Sequence, residues 1–450
     1  MLRDKDYWAI LVRLALPIAA QNLISSSLNV VGVIMVGQLG EKSVAAVGLA
    51  NQVFFIFSFL LFGISSGAGI FTAQFWGKKD RASIRKVLGL CLAMGLAGAL
   101  LFSSAALLFP EGVLRIYTTD PVVIGLGVQY LRIIGWSYAV TAVTFSYASV
   151  LRSTGNVKVP TFVSICALCL DALLNYLLIF GKLGLPAMGV RGAALGTTIA
   201  RLFEVTLLLA ITYRGRLPAA ARPSELLGAS RSFVRSYLTT ALPVAFNESI
   251  WSLGISTYNM IYARISTESI AAVNIASTIE GLAFVVFIGI CNASAIMIGH
   301  KIGSNQPGQA FDYARRALVI AASGALLVGL LIILGSDTIL SFYKVSQTAS
   351  QYAHNILIVL ACALWIRVSN MTIIVAILRS GGDTRFSLFL DVGTVWVIGV
   401  PMALLGAFVL HLPVYWVVPM VMLEEVAKLV IGLFRFASKK WINNLVRAVA

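Results

Sequence analysis

Three carboxylates stand where carboxylates are costly. Asp171, Glu248 and Glu280 each lie near the middle of a long apolar run, and a charge placed in hydrocarbon costs several kcal/mol unless it has a partner or a purpose. Two arginines, Arg132 and Arg367, fall at similar depth in other runs. The sequence thus offers an acid and a base in each half: Asp171 with Arg132, and Glu248 or Glu280 with Arg367. The chemistry open to such groups is the capture of a cation, since oxygen ligands suit hard ions such as Na⁺ and a buried carboxyl can carry H⁺.

Polar neighbours extend the list. Asn247 precedes Glu248, and Pro243 lies five residues before it, where a loosened helical turn can expose carbonyls. Trp251, Tyr258 and Tyr262 follow at helical spacing and can offer ring faces to an organic cation, while Asn274, Asn292 and Asn370 are candidates for lining the same cleft. Other buried charges have a structural explanation. Arg201 and Glu204 are spaced i,i+3, and Glu424, Glu425 and Lys428 are spaced i,i+4 and i,i+3, so each group can pair along its own helix. Asp391, close in sequence to Arg379 and Arg385, reads as an interface anchor.

The elements that must hold these residues are membrane spans. Of 450 residues, 59% are hydrophobic and 12% charged, with a mean hydropathy of +0.91, which excludes a water-soluble globular chain. Runs of about 20 apolar residues mark twelve spans, near 14–37, 46–75, 87–109, 122–149, 159–181, 189–212, 238–263, 271–299, 316–336, 350–378, 387–409 and 413–436. The basic start of the chain runs into a full-length span without a small-residue cleavage site, as expected of a retained first helix. Basic residues cluster in alternate connections, from Arg3 at the start through Lys78–Lys86 and Arg214–Arg235 to Arg447, while few, such as Lys42 and Lys344, fall on the other side. That bias predicts cytoplasmic N- and C-termini in a cell inner membrane, in contact with its lipids. The net charge of +16 is thereby a topology signal and not a nucleic-acid footprint. The five cysteines all fall in apolar runs; Cys166 and Cys169 form a single CxxC, too little for a metal site.

The chain is written twice. A shift of 226 residues lays Pro243–Gly303 on Pro17–Gly77 without a gap, with identities that include Pro17, Ser43, Ala46, Gly63 and Gly77. The turn LRSTGNVK at 151–158 returns as LRSGGDTR at 378–385, 227 residues later, and Leu185, Pro186, Ala200 and Arg201 recur as Leu412, Pro413, Ala427 and Lys428. Two lobes follow, 1–213 and 238–450, joined by a linker at 214–237 that is rich in Pro and small residues. Each lobe has an even number of spans, so both run in the same direction and are related by an axis along the membrane normal.

Seven stretches, LALPIAAQNL, VGVIMVGQLGEKSVAAVGLANQ, LRSTGNVKVP, LGLPAMGVRGAALGTTIAR, LPVAFNESIWSLG, AAVNIASTIE and LRSGGDTR, make the chain resemble the MATE family, the multidrug and toxic compound extrusion transporters. The resemblance runs over essentially the whole chain. It implies an all-α polytopic fold of twelve helices in two pseudo-symmetric six-helix bundles around a central cleft, and export of cationic, amphipathic organic compounds in exchange for H⁺ or Na⁺. It also implies that Asp171, Asn175 and Thr197 form the cation cluster of the first lobe. This chain departs from the family there: Gly32 stands where the family carries an aspartate before IMVG, and Asp171 then Asn175 replaces the family order of Asn then Asp.

No Walker motif, zinc pattern or nucleophile elbow appears. The sequence therefore reads as a transporter driven by an ion gradient, not an enzyme, needing no cofactor or metal and working as a monomer on small organic molecules. The alternative is a flippase for a lipid-linked precursor.

Overall fold

The structure, a computed structural model, describes residues 5–341, 343 and 346–447. Arg3 and Lys344, counted in the charge bias above, lie outside the described residues. Twelve long helical elements follow one another: α1 (Lys5–Gly37), α2 (Glu41–Gly77), α3 (Arg81–Leu108), α4 (Pro121–Ile134 and Ser137–Ser153), α5 (Lys158–Phe180), α6 (Val190–Arg214), α7 (Arg231–Ile265), α8 (Thr267–Gly303), α9 (Pro307–Ser341), α10 (Gln347–Met371), α11 (Thr384–Thr394) and α12 (Val414–Ala437). Wider π-helical turns continue α10 over Thr372–Arg379 and α11 over Val395–Gly399, and a further one covers Leu405–Val409. Each predicted span coincides with one of these elements.

Nine helices among the described residues are long and apolar enough to cross a membrane, and the two halves of α4, bent by 50°, make a tenth. The chain is thus a multi-pass membrane protein. The other two, α7 and α12, reach 35 and 24 residues, but the polar run around Glu248 and the trio Glu424, Glu425 and Lys428 lower their hydropathy. The break in α4 falls at Gly135, whose carbonyl accepts from Ser103 Oγ at 2.8 Å.

Local chemistry sets the helix ends. Asp80, Asp120, Ser266 and Ser346 cap α3, α4, α8 and α10 by accepting from backbone N–H groups of the first turn. The duplicated turns need a left-handed residue, and both supply glycine: Gly155 has φ 84° and Gly382 has φ 79°. Small residues let helices approach closely. Ala314, Ala317, Ala321, Ala325 and Gly329 form the buried stripe of α9, and a Cβ on Gly329 would collide with the Ala361 carbonyl of α10. All five cysteines are free thiols, with Cys91 and Cys291 buried and Cys169 and Cys362 exposed.

The chain forms two compact units, 20–241 and 1–19 with 242–450. Their borders differ from a division at 213 and 238 in two ways. The start of α1 packs with the second half, where Tyr7 meets Tyr313 edge-on and Gly289 lies against the Ala15 carbonyl. The linker and the start of α7 pack with the first half, where Phe233 stacks on Phe75 and Tyr237 tilts onto Phe71.

Within the first unit a short helix, Pro223–Leu227, docks on α3. Glu225 accepts from the Arg222 N–H at 2.7 Å and pairs with Arg85. These contacts, the Arg222 N–H first, hold its carboxyl below the ordinary value of 4.5. A depressed folded value gives stability that is present above 4.5 and lost as pH falls through the folded value. Protease cleavage in the 214–230 linker is therefore expected to be slow at neutral pH and to accelerate below about pH 4.5, and Glu225→Gln is expected to remove that acceleration.

Candidate functional site

In the first unit, Asp171 and Asn175 stand one turn apart on α5, and Thr197 and Arg201 stand one turn apart on α6. The i,i+4 spacing puts each pair on one helix face. Glycine brings the two helices together, since the place a Cβ would take on Gly196 is only 2.6 Å from Asn175 Oδ1. Asp171 then lies against Thr197, Asn175 and Arg201. The site has an unusual feature: Asp171 Oδ1 and Asn175 Oδ1 are both buried and neither accepts a hydrogen bond. A buried acceptor without a donor carries a desolvation cost of about 1–3 kcal/mol, and a proton or a hard cation at these oxygens would relieve it. Arg201 does not close the site, because its nearest acid is Glu204 at 3.0 Å, itself held by Ser164 Oγ at 2.7 Å. Tyr130, which donates to Asn51 at 3.2 Å, forms the next wall beside Asp171.

Gly196→Ala tests this packing. Its methyl would overlap the Asn175 amide, and the overpacking is expected to lower stability by about 1–3 kcal/mol in a thermal unfolding assay.

Arg132, expected beside Asp171, is exposed and makes no ion pair among the described residues; the base near Asp171 is Arg201. At Gly32 a Cβ would meet nothing within 4 Å.

The second unit gathers a longer network. Glu248 accepts from Arg379 Nη1 at 2.5 Å, and Arg367 pairs with Glu280. Arg367 therefore belongs to Glu280, and Glu248 takes Arg379, which the sequence had placed at a membrane interface. The Asn247 amide, turned so that both its atoms are satisfied, accepts from Arg379 Nη2 at 2.9 Å and donates to Asp391 Oδ2 at 3.1 Å. Asp391 takes Lys428 at 2.9 Å, and Lys428 lies 3.8 Å from Glu425. Glu425 accepts from Asn370 Nδ2 at 2.6 Å and stands 3.8 Å from Arg367. Glu424 is different: its Oε2 accepts from the Tyr258 hydroxyl at 2.6 Å, and it has no ion pair within 4 Å among the described residues. The five carboxylates Glu248, Glu280, Asp391, Glu424 and Glu425 thus face three cations, Arg367, Arg379 and Lys428, which leaves two negative charges in excess.

The remaining cleft candidates separate by exposure. Tyr258 and Tyr262, each 5% exposed, are part of the buried core and do not offer free ring faces. Trp251 is half-buried and Asn274 exposed. Asn292 donates to the Ile288 carbonyl of its own helix at 2.9 Å, and Asn370 is bound to Glu425. What the sequence reading missed was Arg379, Asp391, Glu424, Glu425 and Lys428 as members of one network. Its one visible signal was five charges within or at the edge of three successive apolar runs, Arg379 at an end, Asp391 near one, and Glu424, Glu425 and Lys428 in mid-helix.

The MatE family model matches this chain twice, over 17–177 and 243–405, and the two starts are 226 residues apart, the period of the internal repeat. The chain is 29% identical over 408 residues to the "Probable multidrug resistance protein NorM" of Bradyrhizobium diazoefficiens, covering 88% of this chain and 86% of the relative. To the "Probable multidrug resistance protein YoeA" of Bacillus subtilis it is 24% identical over 452 residues, covering 98% and 96%. Among solved structures, a mutant of the Vibrio cholerae MATE transporter VcmN superposes with a TM-score of 0.88 at 18% identity over 98% of both chains. An outward-facing multidrug resistance MATE family transporter of the MOP superfamily superposes with 0.86 at 20% identity over 96% of both. These structures share the fold of two pseudo-symmetric helical bundles.

Proposed function

The chain belongs to the MatE family of multidrug transporters, and from that membership we propose that it is a secondary active antiporter, exporting cationic, amphipathic organic compounds in exchange for H⁺ or Na⁺. The observation that carries the reading is the pair of orphaned oxygens on Asp171 and Asn175 beside Thr197. An ionised carboxylate accepts hydrogen bonds and donates none, so this cluster attracts a proton, a hard cation, or through longer contacts an organic cation. If coupling ion and drug compete for that one negative charge, binding of either weakens the other by the same factor. Alternating access then exchanges them across the membrane. Asn274 and Trp251, which are not sealed in the core, are the cleft residues most open to a drug, while Glu248 and Glu280 are held by arginines and act first as structural charges.

In this proposal the protein sits as a monomer in the cell inner membrane with both termini cytoplasmic, as the excess of Lys and Arg in alternate connections supports. Everted membrane vesicles test it with ethidium as the probe. Ethidium uptake into the vesicles is expected to require one gradient, and collapse of either the pH or the Na⁺ gradient identifies which. Ethidium movement that is unchanged with both gradients collapsed would remove antiport. Movement of a lipid-linked precursor in place of ethidium would favour a flippase.

A further inference from the structure

We propose that Glu424 is a second cation site of this transporter, in the second unit, and that its cation is a proton whose arrival reverses the hydrogen bond from the Tyr258 hydroxyl. This rests on the antiport reading for its use in transport, but not for the protonation itself.

The geometry is that of a two-way hydrogen-bond switch. The Tyr258 hydroxyl lies between two acceptors, Glu424 Oε2 at 2.6 Å and the Val395 carbonyl at 3.4 Å. A hydroxyl has one hydrogen and two lone pairs, so it satisfies one acceptor at a time. With Glu424 ionised, Tyr258 donates to the carboxylate. With Glu424 protonated, the carboxyl donates to the tyrosine oxygen and the tyrosine hydrogen turns to Val395. One proton enters or leaves, and no bond other than O–H is made or broken.

The surrounding chain is built for this contact. Val395 opens a π-helical turn, Val395–Gly399, whose ladder already gives its carbonyl the Val400 N–H; the second lone pair faces Tyr258. Such wide turns inside helices recur at functional positions, and Pro401, which has no N–H to continue the α-ladder, follows at once. At Gly399 a Cβ would occupy the space of the Tyr258 hydroxyl and Glu424 Oε2, so only glycine lets α11 lie against the pair.

Charge bookkeeping singles out the same residue. The groups facing Glu424 are Tyr258 and Tyr262 from α7, Arg367 from α10, Asp391 from α11, and Glu425 and Lys428 from its own helix. Of the five carboxylates in the network, Glu248, Glu280, Asp391 and Glu425 each have a cation within 4 Å. Neutralising any of those breaks an ion pair; neutralising Glu424 breaks none and removes one of the two uncompensated charges. Hard cations other than H⁺ need several oxygen ligands, and the neighbouring carboxylates already face the N–H groups of Arg, Lys and Asn.

The repeat relates the pair to positions of the first unit that carry different residue types. With the 227-residue offset, Glu424 of α12 is the counterpart of Thr197 of α6, which lies against Asp171 in the first unit. With the 226-residue offset, Tyr258 is the counterpart of Gly32.

Infrared difference spectroscopy of the purified full-length protein, recorded as a pH titration without ethidium, tests the site separately from transport. The carboxylic C=O band of the wild type is expected to lose one component in Glu424→Gln and to keep it in Asp171→Asn. In Tyr258→Phe, which keeps the ring but removes the donor to the ionised carboxylate, that component is expected to persist to a pH higher by about one unit. Addition of Na⁺ should leave it unmoved. A band identical to wild type in Glu424→Gln, or a titration unchanged in Tyr258→Phe if the glutamine variant does not fold, overturns the proposal; so does displacement of the band by Na⁺. If these results hold while ethidium is not exported, the proton site stands and the antiport reading falls.

Discussion

Asp171→Asn is expected to lower gradient-driven ethidium export in everted vesicles at least about tenfold, with the amount of folded protein unchanged. Asparagine keeps the shape of the side chain and replaces a buried charge, one of whose oxygens has no donor, with a neutral amide. The variant should therefore be at least as stable as the wild type while losing the charge for which ion and drug compete, and tenfold corresponds to only about 1.4 kcal/mol of lost coupling. Retained export at the wild-type rate, checked with protein levels matched, would take Asp171 out of the mechanism. The opposite pattern, in which fold and export fail together, would mean that the orphaned oxygens are structural.

Arg379→Met is expected to give the largest loss of stability, about 3–5 kcal/mol, because removing one member of a buried ion pair leaves the other charge without compensation. Arg379 is only 3% exposed at its side chain and Glu248 12%, and Asn247 loses a donor in the same change. Adding Glu248→Leu to Arg379→Met is expected to recover most of the loss, since replacing a whole buried pair with apolar groups of similar volume is often close to neutral. Thermal unfolding in detergent, read as a double-mutant cycle, measures both terms. A single-variant loss under about 1 kcal/mol would show that the pair is solvated.

The difference between these two carboxylates was only half visible in the sequence. Asp171, Asn175 and Thr197 were legible as a group through the family resemblance; helical spacing places Asp171 and Asn175 on one face but does not bring Thr197 of another helix to them. The partner of Asp171 was not. Arg132 precedes the break of α4 at Gly135, and a 50° bend redirects everything before it, so depth along the chain says nothing about which way that side chain points. Arg379 was assigned to the membrane surface for a similar reason. The π-helical stretch Thr372–Arg379 adds a residue per turn, which rotates the following side chain by roughly 100° and turns the guanidinium inward to Glu248.

Lys428 shows a different limit. Spacing along α12 predicts pairing with Glu424 or Glu425, and Glu425 does lie 3.8 Å away, yet Asp391 on α11 is closer at 2.9 Å. Pairing across helices depends on packing that no local pattern encodes. The long helices and the glycine turns, by contrast, follow from run length and residue type within a short stretch of chain, and the described helices and the left-handed Gly155 and Gly382 fall where those signals put them.

The most direct measurement is ethidium affinity of the purified protein over a range of pH and of Na⁺ concentration, in the wild type and in Asp171→Asn. Competition for one carboxylate predicts that wild-type affinity falls as the coupling cation rises and that most of this dependence disappears in the variant. Ethidium affinity in the wild type that is independent of both cations would contradict it.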